Sequence, residues 1–229
     1  MKFKQYLNEL ASDYGAGVTF VDIDECIFNT FAKILVRDKE TKKIIRELDN
    51  QEFNSYQLKD TEEYDFIQFG SAKIFHDTSI PIPKTINRIK KMLKNIDANK
   101  SNSKIVFLTA RSDFDDKKLF LKTFEKYGIK MDKPTVYVER SGNLKTGTIP
   151  ERKKKIMMKY IETGLYRRVR LLDDHKPNVD ILLELEKEIP QKIIDKIKKN
   201  FNIPEDEKFP VIQFFPLLVN PDGSLKRIK

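Results

Sequence analysis

The sequence has a single cysteine, Cys26, among 229 residues, which excludes an internal disulfide and a Cys-rich zinc site. Histidine is almost as scarce: His76 and His175 are the only two in the chain, too few for a His-based metal cluster. No stretch reaches the apolar length needed to span a bilayer. The first residues, MKFKQYLNELASDYG, carry Asn, Glu and Asp where a signal peptide needs an apolar run. No internal repeat is visible. The expectation is a cytoplasmic protein with no membrane partner.

Charge is abundant instead. Charged residues make up 34% of the chain, and 44 Lys and Arg against 35 Asp and Glu leave a formal net charge of +9. Nucleic acid or a polyanionic small molecule is then a natural partner, although charge speaks to attraction and not to fold or reaction. Lys90, Lys91 and Lys94 read as the solvated surface of a helix. A hydrophobic content of 39%, with 16 Phe and 8 Tyr, argues against disorder. The length suits one domain with a sizeable insertion, or two small domains.

Three short apolar runs end in polar residues. Val18-Thr19-Phe20-Val21 leads to Asp22-Ile23-Asp24, Ile105 to Leu108 leads to Thr109-Ala110-Arg111, and Val169 to Leu172 leads to Asp173-Asp174. Runs of this kind suit strands buried on both faces of a parallel sheet. Thr135 to Val138 is a fourth candidate. Between them, Thr85 to Ile96 puts Ile86, Ile89, Met92, Leu93 and Ile96 on one helical face. Ser112 is a plausible N-cap for a helix carrying Leu119, Phe120, Phe124 and Tyr127 and ending at Gly128. Glu151 to Thr163, between Pro150 and Gly164, is another. Alternating strands and helices predict an α/β fold with a doubly wound parallel sheet.

The stretch from 29 to 83 breaks that alternation. Ile34 to Arg37 and Lys43 to Arg46 read as a β-hairpin, followed by a turn-rich piece with Phe53, Tyr56, Tyr64, Phe66, Phe69 and Phe75, and then by Ile80-Pro81-Ile82-Pro83 as a stiff return. It reads as an insertion of 29–83 in a core formed by 1–28 and 84–229. Near the C-terminus, Val179 to Lys187 and Gln191 to Asn200 are predicted helices. Val211 to Val219 is a predicted strand, with Pro216 placing it at an edge or splitting it in two.

In open parallel sheets ligands sit beyond the carboxyl ends of the strands, where Asp22, Asp24, Thr109, Asp173 and Asp174 all fall. Four carboxylates together repel one another unless a cation offsets them, and without His or Cys nearby the donor set favours a hard ion such as magnesium. A cation beside a nucleophile invites a phosphoryl group.

In this order the motifs resemble those of the haloacid dehalogenase (HAD) superfamily of aspartate-nucleophile phosphatases. Val21-Asp22-Ile23-Asp24 matches the first, Phe107-Leu108-Thr109-Ala110-Arg111 the second, and Asp173-Asp174 the last. The resemblance extends to small phage and bacterial HAD-like hydrolases. It implies that Asp22 is the nucleophile and a metal ligand. Asp24 would be the acid/base residue, with its carbonyl on the metal, Thr109 would bind a phosphoryl oxygen, and Asp173 with Asp174 would hold Mg2+. A basic residue completes the set: Lys153 by its place ahead of Ile156 and Met157, with Lys154, Lys155 and Lys145 as alternatives. Ala110, Arg111 and Lys154 would join Thr109 and Lys153 in binding substrate. Glu25-Cys26 departs from the small residues common after the second Asp. Cys26 fits as a packed small residue.

The resemblance implies that the insertion is a small cap. A small cap leaves room for an extended substrate, so the expected substrates are nucleotides or nucleic-acid terminal phosphates, or another phosphorylated small molecule. The rivals are a nucleic-acid-binding module on the same scaffold and a phospho-acceptor receiver domain. The Asp-x-Asp spacing and the insertion count against the receiver.

Overall fold

The computed structural model describes residues 16–207 and 209–229; the N-terminal stretch read above as lacking a signal peptide lies outside them. The central sheet is built from β1 (Gly17–Val21), β7 (Lys104–Thr109), β8 (Val136–Arg140), β9 (Arg168–Asp173), β10 (Gln213–Val219) and β11 (Leu225–Arg227). Their order is β11-β10-β9-β1-β7-β8, and all neighbours run parallel except β10 and β11. The protein is therefore a mixed α/β fold on a mostly parallel sheet.

Alternation along the strands divides the core in two. Val21, Ile105 and Phe107 face one way, against Ile86, Ile89 and Leu93 of α3 (Pro83–Ala98) and Phe120 and Phe124 of α4 (Lys117–Lys126). Val18, Phe20, Val106 and Leu108 face the other. There they meet Ile156 and Met157 of α5 (Ile149–Ile161), Leu182 and Leu185 of α6 (Lys176–Glu188), and Ile193 and Ile197 of α7 (Gln191–Phe201). Lys90, Lys91 and Lys94 are exposed on α3, as expected.

Between β1 and α3 the chain forms a second, three-stranded antiparallel sheet of β3 (Ile34–Asp38), β4 (Ile44–Leu48) and β5 (Glu62–Asp65), in the order β4-β3-β5. The hairpin turn is closed by Asp38 Oδ1, which accepts from the amides of Glu40 and Thr41 and from the Thr41 hydroxyl. Ile34, Val36 and Leu48 form a separate small cluster with Phe53, Tyr56, Tyr64 and Phe69. Helix α1 (Asn50–Ser55) precedes β5, and a 3-10 turn (Ile67–Gly70) leads to α2 (Ala72–Thr78). The two-residue strands β2 (Phe28–Asn29) and β6 (Ile80–Pro81) pair antiparallel, tying the two ends of the stretch together.

One aromatic of the insertion packs outside it, and three expectations are corrected. Phe75 does not pack with the insertion's aromatics: it joins Phe28, Phe114, Phe120 and Phe124 in the main core. The helix after Arg111 starts late, with Asp116 and not Ser112 as N-cap, its side chain accepting from the Leu119 amide. Asp115 is used elsewhere, accepting from the Ala72 amide, while its own amide donates to the Gly70 carbonyl. Pro216 marks neither an edge nor a break. Its carbonyl accepts from the Ile228 amide, so its missing N–H faces the β11 side, where the ladder has ended. Finally, β9 is not apolar on both faces: Val169 and Leu171 are buried, whereas Arg168 and Arg170 are half-buried on the α3 side.

Candidate functional site

The parallel strands end together, and their ends carry the residues singled out above. The Asp22 amide continues the β1–β9 ladder by donating to the Leu172 carbonyl at 2.8 Å, which fixes the carboxylate beside that of Asp173. After Asp24 the chain turns sharply through Glu25, at φ +53°, and the Glu25 amide donates to the Phe28 carbonyl. Cys26, in the same turn, is fully buried, with its thiol against the Leu172 carbonyl, and burial pushes that thiol well above its ordinary pKa. It is a packing residue.

Of the candidate basic residues, Lys153 is the one that stands at the carboxylates. It lies in the first turns of α5, on the sheet-facing stripe with Ile156 and Met157, and is buried. Its Nζ donates to Asp22 Oδ1 and to Asp173 Oδ2, each at 2.7 Å. The α5 start is defined by a reciprocal cap: Thr148 Oγ1 accepts from the Glu151 amide while the Glu151 carboxylate accepts from the Thr148 amide. Lys154 points away, to Glu188 at 2.6 Å and Glu184 at 3.8 Å, and Lys155 and Lys145 are exposed.

Asp173 is fully buried, with its second oxygen held by the His175 amide and the Asn178 side-chain amide, each at 3.0 Å. Asp174 stands beside it, exposed as a residue but with its carboxyl group desolvated against the site. One carboxylate oxygen from each of Asp22, Asp173 and Asp174 can be chosen so that all lie within 4.8 Å of one another. Burial, helped by Asp173, pushes the Asp174 carboxyl up to about 7. Burial also drives Asp22 well above its ordinary value, an effect that Lys153 opposes and that Asp173, Asp174 and Asp24 reinforce. Three carboxylates face one ammonium, and the donors are all oxygen. The residues present therefore fit a hard cation of charge two, and the cluster can hold a metal ion.

The Asp24 side chain faces elsewhere. Arg111 Nη2 donates to its Oδ1 at 2.6 Å, Arg111 Nε lies 3.0 Å from Oδ2, and the Thr30 hydroxyl donates to Oδ1 at 2.7 Å. Burial raises the Asp24 carboxyl, but the Arg111 charge and hydrogen bonds outweigh it and hold the group below its usual range. Arg111 is no surface residue. It is 4% exposed, stacked on Phe69, Phe75 and Phe114, and its Nη1 donates to the Phe69 carbonyl. Thr109 is buried at the end of β7; its hydroxyl accepts from the Arg111 amide, leaving its proton to donate. Ala110 is exposed at the mouth.

Searches against family models, curated proteins and solved structures return no match. The centre is thus read from its own geometry.

Four participants escaped the sequence reading. Asn178 and Thr30 carry no local signal. Ser141, whose hydroxyl donates to the Thr109 carbonyl at 3.0 Å, and Gly142 lie in the Ser-Gly-Asn turn after β8. A Cβ on Gly142 would stand 2.4 Å from the Ala110 carbonyl oxygen and 2.5 Å from the Arg111 carbonyl carbon, so only glycine lets the two loops touch.

Proposed function

We propose that the protein is a magnesium-dependent phosphatase of the HAD type, hydrolysing phosphomonoesters through an aspartyl-phosphate on Asp22. The observation that carries this reading is the hydrogen bonding of Lys153 to both Asp22 and Asp173 at the carboxyl ends of adjacent parallel strands. A magnesium ion on Asp22, Asp173 and Asp174 would offset phosphoryl charge and keep Asp22 ionised at neutral pH.

In this reading an Asp22 oxygen attacks phosphorus and the bond to the leaving oxygen breaks. The Thr109 hydroxyl donates to a phosphoryl oxygen, and Lys153 holds Asp22 in line. The leaving oxygen takes a proton from Asp24. Water then attacks the phosphoryl group, Asp24 accepts its proton, and the Asp22–phosphorus bond breaks. Arg111 favours the ionised Asp24, which suits the second half-reaction. The first half-reaction requires substrate to loosen the Arg111 contact. Nucleotides or nucleic-acid terminal phosphates are the preferred substrates, on the +9 net charge and the small separate sheet beside the site.

The test is phosphate release from nucleotides, 3′- and 5′-phosphorylated oligonucleotides and sugar phosphates, with and without magnesium. Asp22→Asn is expected to lower turnover about a thousandfold or more. Release that persists in Asp22→Asn, or that ignores chelation of divalent ions, would sink the proposal.

A further inference from the structure

Two arginines stand on the α4 side of the sheet near the carboxyl ends of its strands, and they are bonded very differently. Arg111 has its nitrogens placed, Nε and Nη2 on Asp24 and Nη1 on the Phe69 carbonyl. Arg140, the last residue of β8, does not. Its Nε is buried and makes no hydrogen bond, and its guanidinium stands 5.3 Å from the centre of the Phe120 ring. Its one charged partner among the described residues is Asp113 Oδ1, at 3.4 Å. The Arg140 side chain is 11% exposed, that of Asp113 74%. A guanidinium largely out of water and without a well-formed hydrogen bond is destabilising, and an anion that bonded it would offset that cost.

Position ties Arg140 to the candidate site. It pairs in register with Thr109 across β7 and β8, so its Cα lies one strand spacing, about 4.8 Å, from the residue whose hydroxyl can donate to a phosphoryl oxygen. β1 is the neighbour of β7 on the other side, which puts Arg140 on the order of 10 Å from Asp22. Three contacts lock the end of β8 to the loop after β7. The Ser141 hydroxyl donates to the Thr109 carbonyl, Gly142 lies against the backbone of Ala110 to Ser112, and Asn143 Oδ1 accepts from the Asp113 amide. The side of the sheet matters as well. Lys153 reaches Asp22 from α5 on one side, whereas Asp24 and Arg111 lie with Phe75 and Phe114 on the other. Arg140, over Phe120, shares that second side. In the phosphatase reading Asp24 protonates the leaving oxygen, so the leaving group departs on the side where Arg140 stands.

From these features we infer that Arg140 binds a second phosphate on the leaving group, so that the preferred substrate is a phosphomonoester with another phosphate across one sugar, as in a nucleoside 3′,5′-bisphosphate. The inference rests on the phosphatase reading, from which it takes the direction of the leaving group. A guanidinium fork matches two phosphate oxygens. Until substrate arrives Asp113 faces that fork, and an exposed carboxylate at 3.4 Å is a weak partner that a phosphate can displace. Arg111 cannot take this part without giving up Asp24. A substrate with a single phosphate leaves Arg140 as it is and gains nothing from it.

The test is the ratio of kcat/KM for thymidine 3′,5′-bisphosphate to that for the thymidine monophosphates. Fructose 1,6-bisphosphate against fructose 6-phosphate tells a sugar source of the second phosphate from a nucleotide one. The native ratio is expected to be about tenfold or more, carried by KM and not by kcat. Arg140→Gln should bring it close to one, and Arg140→Lys, which keeps the charge but not the fork, to an intermediate value. Asp113→Asn, on an exposed side chain, should raise it about two- to threefold by removing the competing carboxylate. Lys118→Gln, which removes a charge from the exposed face of α4, should leave it alone. A native ratio near one, an unchanged ratio in Arg140→Gln or an equal fall in Lys118→Gln would overturn the inference and leave the phosphatase reading standing. Should Arg140→Gln fail to fold, Asp113→Asn decides, and no rise in the ratio overturns the inference equally. Silence toward every substrate would sink the phosphatase reading instead. Calorimetry with thymidine 3′,5′-bisphosphate then separates the two: binding weakened about tenfold by Arg140→Gln keeps the phosphate contact, and undiminished binding removes it.

Discussion

Asp22 and Asp24 are two residues apart on one loop, yet the protein surrounds them in opposite ways. Around Asp22, three carboxylates share a single ammonium, that of Lys153, and burial raises both Asp22 and Asp174. Around Asp24, one carboxylate meets one guanidinium and one hydroxyl, and its carboxyl is held low. With its three carboxylates ionised the inner niche would carry an excess of two negative charges, which the raised Asp22 and Asp174 carboxyls resist, whereas the outer one is balanced. Burial is common to both, so the difference lies in the count of charges and donors. An unbalanced niche is where a divalent cation adds most, and a balanced one is where a proton is held or released by a movement of its partner.

The largest effect is expected from breaking the inner niche. Lys153→Met keeps the stem and removes the charge, leaving Asp22 and Asp173 buried without their shared donor. A loss of about 3–5 kcal/mol in urea unfolding without divalent ions is expected, with part of it recovered on adding magnesium. Full stability in the metal-free variant would mean that the lysine is not what holds the two carboxylates together.

Breaking the outer niche should cost less. Arg111→Met removes the hydrogen bonds to Asp24 but keeps much of the packing against Phe69, Phe75 and Phe114, for about 2–3 kcal/mol at neutral pH. The sign of the pH effect follows from the lowered Asp24 carboxyl. Its stabilisation is complete above the unfolded value near about 3.9 and is lost as pH falls through the lower folded value. Arg111→Met should therefore lose most at neutral pH and converge with the parent in acid. A constant difference across the acid limb of a denaturation series would show that packing, and not the ion pair, carries the cost.

The inner niche was more legible in the sequence than the outer one, and the reason is physical. Asp22, Thr109 and Asp173 end apolar runs, and a parallel sheet brings such ends together whatever the loops do. Lys153 was legible because it shares a helical stripe with Ile156 and Met157, although a run of three lysines left the choice among them open. Arg111, by contrast, reaches Asp24 across a separation of 87 residues, and its burial depends on Phe69 and Phe75 arriving from the insertion. Nothing local to Thr109-Ala110-Arg111 encodes that. The helix expected at Ser112 failed for the same reason: Asp115 is claimed by the Ala72 amide, a tertiary contact that overrides a local N-cap preference. The run from Val169 to Leu172 read as buried on both faces, yet Arg168 and Arg170 are half-buried, because the run was judged by its apolar members and not by the residues alternating with them.

Gly142 tests how the two niches are kept in register. Its turn supports the backbone of 110–112, which positions Thr109 for the inner niche and Arg111 for the outer. Gly142→Ala places a methyl against backbone atoms that cannot swing aside, so a cost of about 1–2 kcal/mol is expected. Turnover should fall with it, because the displaced strand end carries both residues. Thermal melts and phosphate release on the same sample would separate the two effects.

The smallest effect sharpens the comparison most. Lys154 neighbours Lys153 in sequence, yet its ammonium sits with Glu184 and Glu188 on the helix surface, outside both niches. Surface ion pairs of this kind contribute little, so Lys154→Gln should change stability by about 0.5 kcal/mol or less and leave phosphate release unchanged. Adjacent lysines differing by several kcal/mol would show that position relative to the carboxylates decides the role, since residue type and helix are the same. If Lys154→Gln instead lowered turnover as Lys153→Met is expected to, the acid cluster would be drawing on the wider positive field of α5, and the count of three carboxylates against one ammonium would no longer describe the site.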